Sequence, residues 1–399
     1  QISQYVYDKT VLGDYQIDVY SVSSISPSDF REQLHWSYIN GTTGAVLLGD
    51  LPEVIFEMND SFGGYESFPC DLYFMDVDGE WADNDSNGKM DYHGGELEAD
   101  IWISRIKPSM IPTELESTLT VDYFGRVHSY FMGDLRVNHT ALLYIDDDWA
   151  PWGDLYAWNI SALYPEPVLV NNIADTNGGD YIDNRVTAGY EFIQVHVHSS
   201  PTVHYFAQGG NVHASQVRVA QPQSLFMNLF CCSGSDYDAV ANFGATYMFF
   251  GRGLATIGST KTGSMLNFGD FYTPLANHRS MGEAFLDWSK TTMERSREWH
   301  YGMSLQGDGL LSPKYDSIMY PPEFTDRNNG TLRVNGSTPE NILIDIDITT
   351  QKGSVLDTAE YRINNGPWIG LFSEDCFDFT NDCNISKNSL SEGNNTITV

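Results

Sequence analysis

The chain has 399 residues, with 54 acidic side chains against 21 basic ones and a formal net charge of −33 at pH 7. Such a charge repels nucleic acids and anionic membranes, which excludes both classes of partner. The length suits two or three domains, and an apolar content of 41% indicates a folded protein. No apolar run reaches the roughly 18 residues of a membrane span, and Gln1 opens no signal peptide, so we expect a mature or trimmed chain.

Strands and helices alternate in the first part of the chain. Period-two residues predict a strand at 15–20, Ser26 caps a predicted helix from Pro27 to Tyr38, and an apolar run predicts a strand at 44–49. The same patterns predict strands at 72–75, 101–106, 141–145 and 168–170, and helices at 112–132 and 152–164. This alternation predicts an α/β fold with a doubly wound, mostly parallel sheet flanked by helices.

The nine residues 83–91 match the start of a calcium-binding loop. Oxygen-bearing side chains stand at positions one, three, five and nine, glycine stands at position six, and position seven offers its backbone carbonyl. Position twelve is Gly94 rather than a bidentate glutamate, so Glu96, Glu98 or water would complete the shell. We expect a structural Ca²⁺ here; the alternative is a solvated acidic turn. The predicted ligands are Asp83, Asp85, Asn87, Lys89 and Asp91.

Two later strands end in reactive side chains. The first, 192–198, ends with His196 and His198, and the second, 224–230, is followed by Cys231 and Cys232. In an open parallel sheet both ends lie at the carboxyl edge, where ligands bind. The sequence therefore predicts that a thiol and an imidazole meet at this edge. An acidic run at 146–148 is a weaker candidate for a second cation site, because such runs are usually solvated.

The alternation ends after predicted helices at 241–250 and 280–298 and a strand at 254–258. A run rich in Pro, Asn and Gly then predicts a linker, and period-two residues at 342–348 begin a series of short strands and turns. We predict an N-terminal α/β subdomain with the calcium loop (1–132), a second α/β subdomain with the thiol and imidazole (133–320), a linker (321–336) and a small β-domain (337–399). We expect the sequence to stop within or just at the end of that β-domain.

Cysteines and glycosylation motifs favour an extracellular or cell-surface protein. Cys376 and Cys383 are spaced for a small disulfide loop, and the odd number that remains leaves at least one free thiol as a candidate nucleophile; a bond between Cys70 and one of the adjacent pair is the structural alternative. Sequons for N-glycosylation occur at Asn40, Asn59, Asn138, Asn159, Asn329, Asn335, Asn384 and Asn394.

Several ordered motifs together resemble the gingipain-type family of secreted cysteine peptidases. They are 47–52, 71–79, 100–106, 198–200, 231–233 and 257–260, within a likeness that runs from about Tyr15 to Trp288. The resemblance implies a caspase-like α/β domain followed by an immunoglobulin-like domain. It also implies a cysteine endopeptidase that acts on proteins or peptides through a Cys-His dyad and an acyl-enzyme.

By this resemblance, His198 is the catalytic imidazole, and Asp100 is the acidic residue that orients it; an ordinary Asp at the start of a strand is the alternative. Cys232 is favoured as nucleophile because the family places a small residue before it, although Cys231 fits the related legumain pattern. Ser199 stands where the family has Gly. It keeps the backbone N–H that is expected to bind the oxyanion but restricts the backbone angles.

A different class of function stays open. Ser199, the many sequons and the added β-domain also suit a non-catalytic surface or adhesive protein that keeps the peptidase fold. The sequence does not fix substrate specificity. The negative charge weakly favours cationic peptides. Some members of the family prefer basic residues through an acidic pocket floor, and Glu114 and Glu116 follow the strand of Asp100 at a distance that suggests such a floor.

Overall fold

The computed structural model describes residues 1–12, 15–135 and 137–313, and the segments 334–337, 341–349, 359–364, 366–372, 378–386 and 397–398. The chain forms two compact units. The larger contains 20–127 and 137–314, and the smaller contains 1–19, 128–136 and 315–399. In the part of the chain that is described, no helix is both long and apolar enough to cross a membrane.

The strands up to residue 307 are short. They are β1 (Gly44–Leu48), β2 (Ile55–Asp60), β3 (Gly64–Pro69), β4 (Glu80–Ala82), β5 (Tyr92–Gly94), β6 (Trp102–Ile106), β7 (Asn138–Ile145), β8 (Val168–Val170), β9 (Tyr190–His196), β10 (His198–Ser200), β11 (Val203–Tyr205), β12 (Val212–His213), β13 (Phe226–Phe230), β14 (Ala255–Ser259) and β15 (Met303–Gly307).

The helices precede β1 or connect these strands. They are α1 (Ile2–Tyr7), α2 (Pro27–Ile39), α3 (Leu72–Met75), α4 (Glu116–Phe131), α5 (Gly153–Ile160), α6 (Gly178–Asp180), α7 (Ala214–Ala220), α8 (Phe243–Phe249), α9 (Gly269–Ala276) and α10 (Met281–His300), with 3₁₀ turns at Pro108–Met110 and Asp147–Trp152 and π turns at Asp8–Leu12 and Tyr181–Arg185. Local chemistry sets their starts: Ser26 caps α2, and Ser280 forms a capping box with Glu283 at α10.

One eight-stranded sheet forms the centre of the larger unit, in the order β1-β6-β15-β14-β13-β9-β7-β8. Its neighbouring strands are parallel except for β14 and β15. Helices cover both faces, because alternate residues of β9 meet different helices: Val195 packs with Phe243 of α8, whereas His196 stacks on Tyr156 of α5. The predicted mixed α/β fold with a mostly parallel, helix-flanked sheet is confirmed.

Two predicted strands are wrong. Residues 15–20 have no regular structure and are mostly exposed, so their period-two pattern is not matched by a partner strand. The run 72–75 is the short helix α3, and all four of its residues are buried. A run of four apolar residues indicates burial but does not distinguish a buried strand from a buried helical turn.

The domain boundaries stay predictions. The central sheet runs across the boundary drawn at 132, because β1 and β6 belong to the same sheet as β7, β8, β9, β13, β14 and β15. Residues 321–333 of the linker and Cys376 lie outside the described residues, so the Cys376–Cys383 bond does too. In the smaller unit the strands form antiparallel pairs. They are β16 (Val334–Ser337), β17 (Asn341–Thr349), β18 (Ala359–Ile363), β19 (Ile369–Phe372), β20 (Asp378–Ser386) and β21 (Ile397–Thr398).

Candidate active site

The structure places the two reactive strand ends side by side. β9 and β13 are adjacent and parallel, and His196 is in register with Phe230. The N–H of Val197 donates to the carbonyl of Phe230 at 3.2 Å, which extends the pairing one residue further. Both strands therefore deliver their following residues, His198 and Cys232, to one edge of the sheet. We call this edge, with Asp148, His198 and Cys232, the rim.

The adjacent cysteines have different surroundings. Cys231 is 3% exposed and lies in the hydrophobic core, and a Cβ on Gly234 would come within 2.5 Å of its Sγ. Burial raises the pKa of the Cys231 thiol to about 12. We call this apolar set the core cluster; with Cys231 it includes Val195, Val197, Val217, Leu229, Phe243 and Tyr247.

Cys232 is only partly buried. It carries no disulfide, and neither do the buried Cys70 and Cys231. Burial raises the pKa of its thiol, while the backbone N–H of Gly263 lowers it. Nearby charges act in opposite directions, with Glu66 raising the pKa and Lys261 lowering it. The next residue, Ser233, has a φ of +55°, a left-handed conformation that is costly outside glycine and common at functional sites.

His198 is half exposed and is held by a carboxylate. Its Nε2 lies 2.8 Å from Oδ2 of Asp148, and the two side chains are 51% and 65% exposed. The ring of Trp149 lies 4.7 Å from the imidazole, between centroids. With Nε2 engaged by Asp148, Nδ1 is the ring nitrogen left to face a thiol.

Ser199 joins the two strand ends. Its hydroxyl donates to the carbonyl of Cys232 at 2.5 Å, and its backbone pairs with His204 in the hairpin of β10 and β11. Ser199 is not among the residues with positive φ. The backbone angles at this position are therefore open to any residue, and the glycine expected from the resemblance is not required by conformation.

The three acidic residues after β7 have different roles. Asp146 is buried and accepts hydrogen bonds from the Thr176 hydroxyl and the N–H of Ala207, both at 2.8 Å. It fixes the loop that presents Asp148. Asp147, Asp148 and His198 have ligand atoms within 4.8 Å of one another. The group that could hold a cation here therefore contains two of the three residues of the predicted run 146–148, together with His198.

Asp148 is the residue that sequence reasoning missed as a partner of the imidazole. The available signal was the acidic run directly after a buried strand, 141–145, which is a neighbour of the histidine strand in the sheet. The run was interpreted only as a cation site or a solvated face. Which strand lies beside β9 is a matter of sheet order, and the sequence pattern did not specify that order.

The structure does not bring Asp100 to His198. Four steps of the sheet separate β6 from β9, roughly 19 Å at about 4.8 Å a step. Asp100 accepts a hydrogen bond from the N–H of Val77 at 2.8 Å, and burial raises its pKa. It lies instead in a group with Asp76 and Asp78, whose carboxylate oxygens are within 4.8 Å of one another. The predicted role of Asp100 in orienting the imidazole is therefore not supported.

The predicted calcium loop connects β4 to β5 and closes on itself. Asp83 accepts the N–H groups of Asn87 and Gly88 at 3.1 and 2.8 Å, and Asp91 accepts that of Asn84 at 2.9 Å. Gly88 has a φ of +89°, which explains the glycine at position six.

The donor set of this loop fits a hard cation, since it consists of oxygens from carboxylates, an amide and backbone carbonyls. The side chain of Lys89 is turned to Glu57, with Nζ 3.2 Å from the carboxylate. In the described part of the chain, the acidic and histidine side chains that converge within 4.8 Å are the two groups named above, and this loop is not one of them.

Comparison with solved structures identifies the fold. The complex of the RgpB pro- and mature domains from Porphyromonas gingivalis aligns with a TM-score of 0.59 and 13% identity, over 91% of this chain and 85% of the other. The chain has the gingipain fold. The Arg-specific cysteine proteinase gingipain R (RgpB) aligns with a TM-score of 0.57 and 12% identity, over 91% and 82% of the two chains.

A further structure, of a protease, aligns with a TM-score of 0.54 and 14% identity, over 95% of this chain and 86% of the other. No protein-family model and no curated protein matches the chain. The likeness is therefore one of three-dimensional structure, and the chemistry of this chain is argued from its own residues.

Proposed function

We propose that this protein is a cysteine endopeptidase in which Cys232 is the nucleophile and His198 the general acid and base. The observation that carries the proposal is the rim itself. Two neighbouring parallel strands end in a partly exposed thiol and a partly exposed imidazole, and a carboxylate binds that imidazole at 2.8 Å. The gingipain fold, shared with cysteine proteinases, supports the same chemistry.

The reaction would proceed through an acyl-enzyme. The thiolate of Cys232 attacks the scissile carbonyl carbon, forming a C–S bond, and the C–N bond breaks as the His198 imidazolium gives its proton to the leaving amine. The neutral imidazole then takes a proton from water, which attacks the thioester carbonyl. The thiolate leaves, the acid is released, and the imidazolium is restored.

Asp148 would act as a positioning residue. A carboxylate on Nε2 fixes the orientation of the ring and favours the imidazolium, and an imidazolium beside a thiol lowers the thiol pKa. This effect matters because burial, and after it the nearby Glu66, raise the pKa of the Cys232 thiol. The backbone N–H of Ser199 is the proposed donor to the oxyanion.

We also propose an extracellular or cell-surface location, protein or peptide substrates, N-glycosylation at the sequons and an immunoglobulin-like C-terminal domain. The exposure of Asn40 and Asn138 supports modification of these two residues. The antiparallel strands of 334–398 support a β-domain. Substrate preference does not pass from the Arg-specific neighbour to this chain, because it depends on the side chains around the dyad.

A structural Ca²⁺ at the 83–91 loop is part of the proposal. Asp83, Asp85, Asn87 and Asp91 would supply side-chain oxygens and Lys89 its carbonyl, so that the cation stabilises the β4–β5 connection. Calorimetric titration of Ca²⁺ into the intact chain should give a dissociation constant of about 10⁻⁶ to 10⁻³ M.

In the same titration, Asp83→Asn should weaken Ca²⁺ binding and Asp154→Asn, an exposed aspartate of α5, should leave it unchanged. Equal binding in wild type and Asp83→Asn would move the cation to another site. No heat and no change in Tm with Ca²⁺ would remove it from the protein.

A non-catalytic surface protein is the second candidate, favoured by one observation. Burial raises the pKa of the Cys232 thiol, which makes a less reactive group unless His198 is charged beside it. A protein that uses this fold only as a scaffold would not need that imidazolium.

Mass-spectrometric mapping of a peptidyl acyloxymethyl ketone on the intact chain separates the two candidates. Stoichiometric labelling of Cys232 that is lost in His198→Ala would establish the dyad. Labelling that survives in His198→Ala, or no labelling at all in a chain whose Cys232 still reacts with iodoacetamide, would favour the scaffold.

A further inference from the structure

Five aromatic rings pack beside the proposed dyad. Tyr156 of α5 stacks on His196 at 4.5 Å, His196 stacks on Phe230 at 4.4 Å, and Phe268 at the start of α9 meets Tyr156 at 5.2 Å, all between ring centroids. Trp149 completes the group, 5.6 Å from Phe230. We call these five residues the aromatic cluster.

The chain places this cluster directly next to the reacting groups. His196 stands two residues before His198, and Phe230 two residues before Cys232, at the ends of adjacent strands. Trp149 touches both levels, since its ring lies 4.7 Å from that of His198 and 5.6 Å from that of Phe230. His196, Phe230 and Phe268 are buried and form a closed floor, whereas Trp149 and Tyr156 are partly exposed.

None of the five side chains carries a negative charge. His196 is fully buried, and desolvation lowers its pKa to about 3, so it is neutral at physiological pH. Burial also raises the pKa of Tyr156, which keeps the phenol protonated. A lysine or arginine side chain on this cluster would lose hydration and gain only the attraction of the ring faces, whereas an uncharged aromatic side chain gains apolar burial and ring contacts without that loss.

The acidic groups around the dyad are engaged elsewhere. Asp148 binds His198, and Asp147 accepts the N–H of Asp148 at 2.7 Å. On the other side of Cys232, Glu66 accepts the N–H of Thr262 at 2.9 Å, and Lys261 lies 3.2 Å from its second oxygen. Glu114, suggested by the sequence as part of a basic-residue pocket, is paired with Arg218 of α7.

We propose that the substrate side chain on the acyl side of the scissile bond packs against the aromatic cluster and is uncharged and apolar, with an aromatic ring preferred. This side chain is attached one atom from the carbonyl that Cys232 attacks, so it must lie within a few ångströms of the dyad. Aromatic rings offer it edge and face contacts in addition to the burial of apolar area. The inference rests on the proposed cysteine peptidase activity.

Four acyloxymethyl ketones that share one peptide and differ only in Phe, Leu, Arg or Lys at this position test the proposal. The readout is the second-order rate of labelling of Cys232 in the intact chain, followed by mass spectrometry. We expect the Phe probe to react at least about tenfold faster than the Arg and Lys probes, with Leu between them. Equal rates, or faster labelling by Arg or Lys, would overturn the proposal.

Trp149→Ala, with Trp152→Ala as its matched control, tests the cluster itself. Trp152 is 51% exposed and belongs to the same 3₁₀ turn. Trp149→Ala should slow the Phe probe about tenfold and leave the Arg probe within about twofold, so that the Phe-to-Arg ratio falls. Trp152→Ala should leave the ratio unchanged. A uniform slowing of all four probes in Trp149→Ala would assign Trp149 a structural role and count against the proposal.

Iodoacetamide distinguishes a failure of this inference from a failure of the peptidase assignment. Its reaction with Cys232 reports the thiol alone, without a substrate side chain. Labelling by iodoacetamide but by none of the four probes would reject the peptidase and this inference with it. Labelling by the Arg or Lys probe at the higher rate would keep the peptidase and reject only the apolar preference.

Discussion

Two regions of this protein contain the same pair of reactive groups, although their cysteines are adjacent in the chain and their histidines are six residues apart. The core cluster holds Cys231, with His204 stacked on Phe243 at 3.6 Å. The rim holds Cys232 and His198. In the core, burial raises the pKa of Cys231 to about 12 and lowers that of His204 to about 3, so both groups stay neutral near pH 7.

At the rim, His198 is half exposed and has a carboxylate partner, and Cys232 is reachable from solvent. Solvent and an anionic neighbour both stabilise a positive charge, whereas burial in an apolar core destabilises it. Residue type and proximity along the chain therefore do not by themselves create a catalytic pair. The surroundings decide whether a thiol and an imidazole can exchange a proton.

The largest difference between core and rim is expected when each of the two cysteines is replaced separately by alanine. Cys232→Ala should lower peptide hydrolysis by about 10³-fold or more, because it removes the nucleophile. Cys231→Ala should retain activity within a few fold and lose stability by about 1 kcal/mol, since it deletes a small buried group. The measurements are kcat/KM with a chromogenic peptide and urea unfolding.

The contrary result is equally specific. Loss of activity in Cys231→Ala with an unchanged urea midpoint would assign the attack to Cys231 and would contradict the division into core and rim.

Removing the charge of Asp148 tests what makes the rim different. Asp148→Asn should lower kcat roughly ten- to a hundredfold, because the amide no longer favours the imidazolium. The measurement is kcat for hydrolysis of a chromogenic peptide at pH 7. Asp154→Asn, also exposed and only six residues further on, is the control and should behave as wild type. Similar losses in both variants would point to the overall charge of the loop.

Acid should destabilise the fold through the buried His204 of the core. The pKa of His204 is about 3 when folded and about 6.5 when exposed, so the unfolded state binds more protons between these values. The free energy of unfolding therefore falls as the pH drops from about 6.5 towards 3, by about 2.7 kcal/mol for this group at pH 4.5.

His204→Phe removes that proton site and keeps a ring on Phe243. Urea midpoints measured from pH 7 to pH 4.5 should fall less steeply in His204→Phe than in wild type. Parallel pH dependences in the two proteins would show that His204 does not contribute to acid instability.

The smallest expected effect concerns the link between the strand ends. Ser199→Gly removes the hydroxyl that binds the Cys232 carbonyl and should lower kcat about two- to fivefold. It should not raise activity, since φ at this position is already open to any residue. Faster turnover in Ser199→Gly would mean that the serine restrains the oxyanion donor.

Much of this arrangement could be predicted from the sequence. Two apolar runs that each end in a reactive residue indicate neighbouring strand ends, and the structure has β9 and β13 adjacent and in register. The run at 72–75 was misassigned because four residues are too few to distinguish helical from strand periodicity. The pattern at 15–20 was misassigned because an alternating segment forms a strand only where a partner strand pairs with it.

The partner of the imidazole was beyond local patterns. Asp100 was chosen by motif likeness, but β6 lies four steps from β9, whereas β7 lies beside it and presents Asp148. The order of strands in a sheet depends on how helices cross over it, and no window of a few residues contains that information.

The sequence by itself determined the mixed α/β class, the strand ends that carry His198 and Cys232, and the strongly acidic net charge, because these follow from local periodicity and composition. Only the tertiary structure decided that Cys231 is buried and Cys232 is not, that Asp148 binds the imidazole, and that five aromatic rings lie beside the dyad. Burial and long-range contacts arise when distant segments pack, and packing sets both the pKa values and the shape of the site.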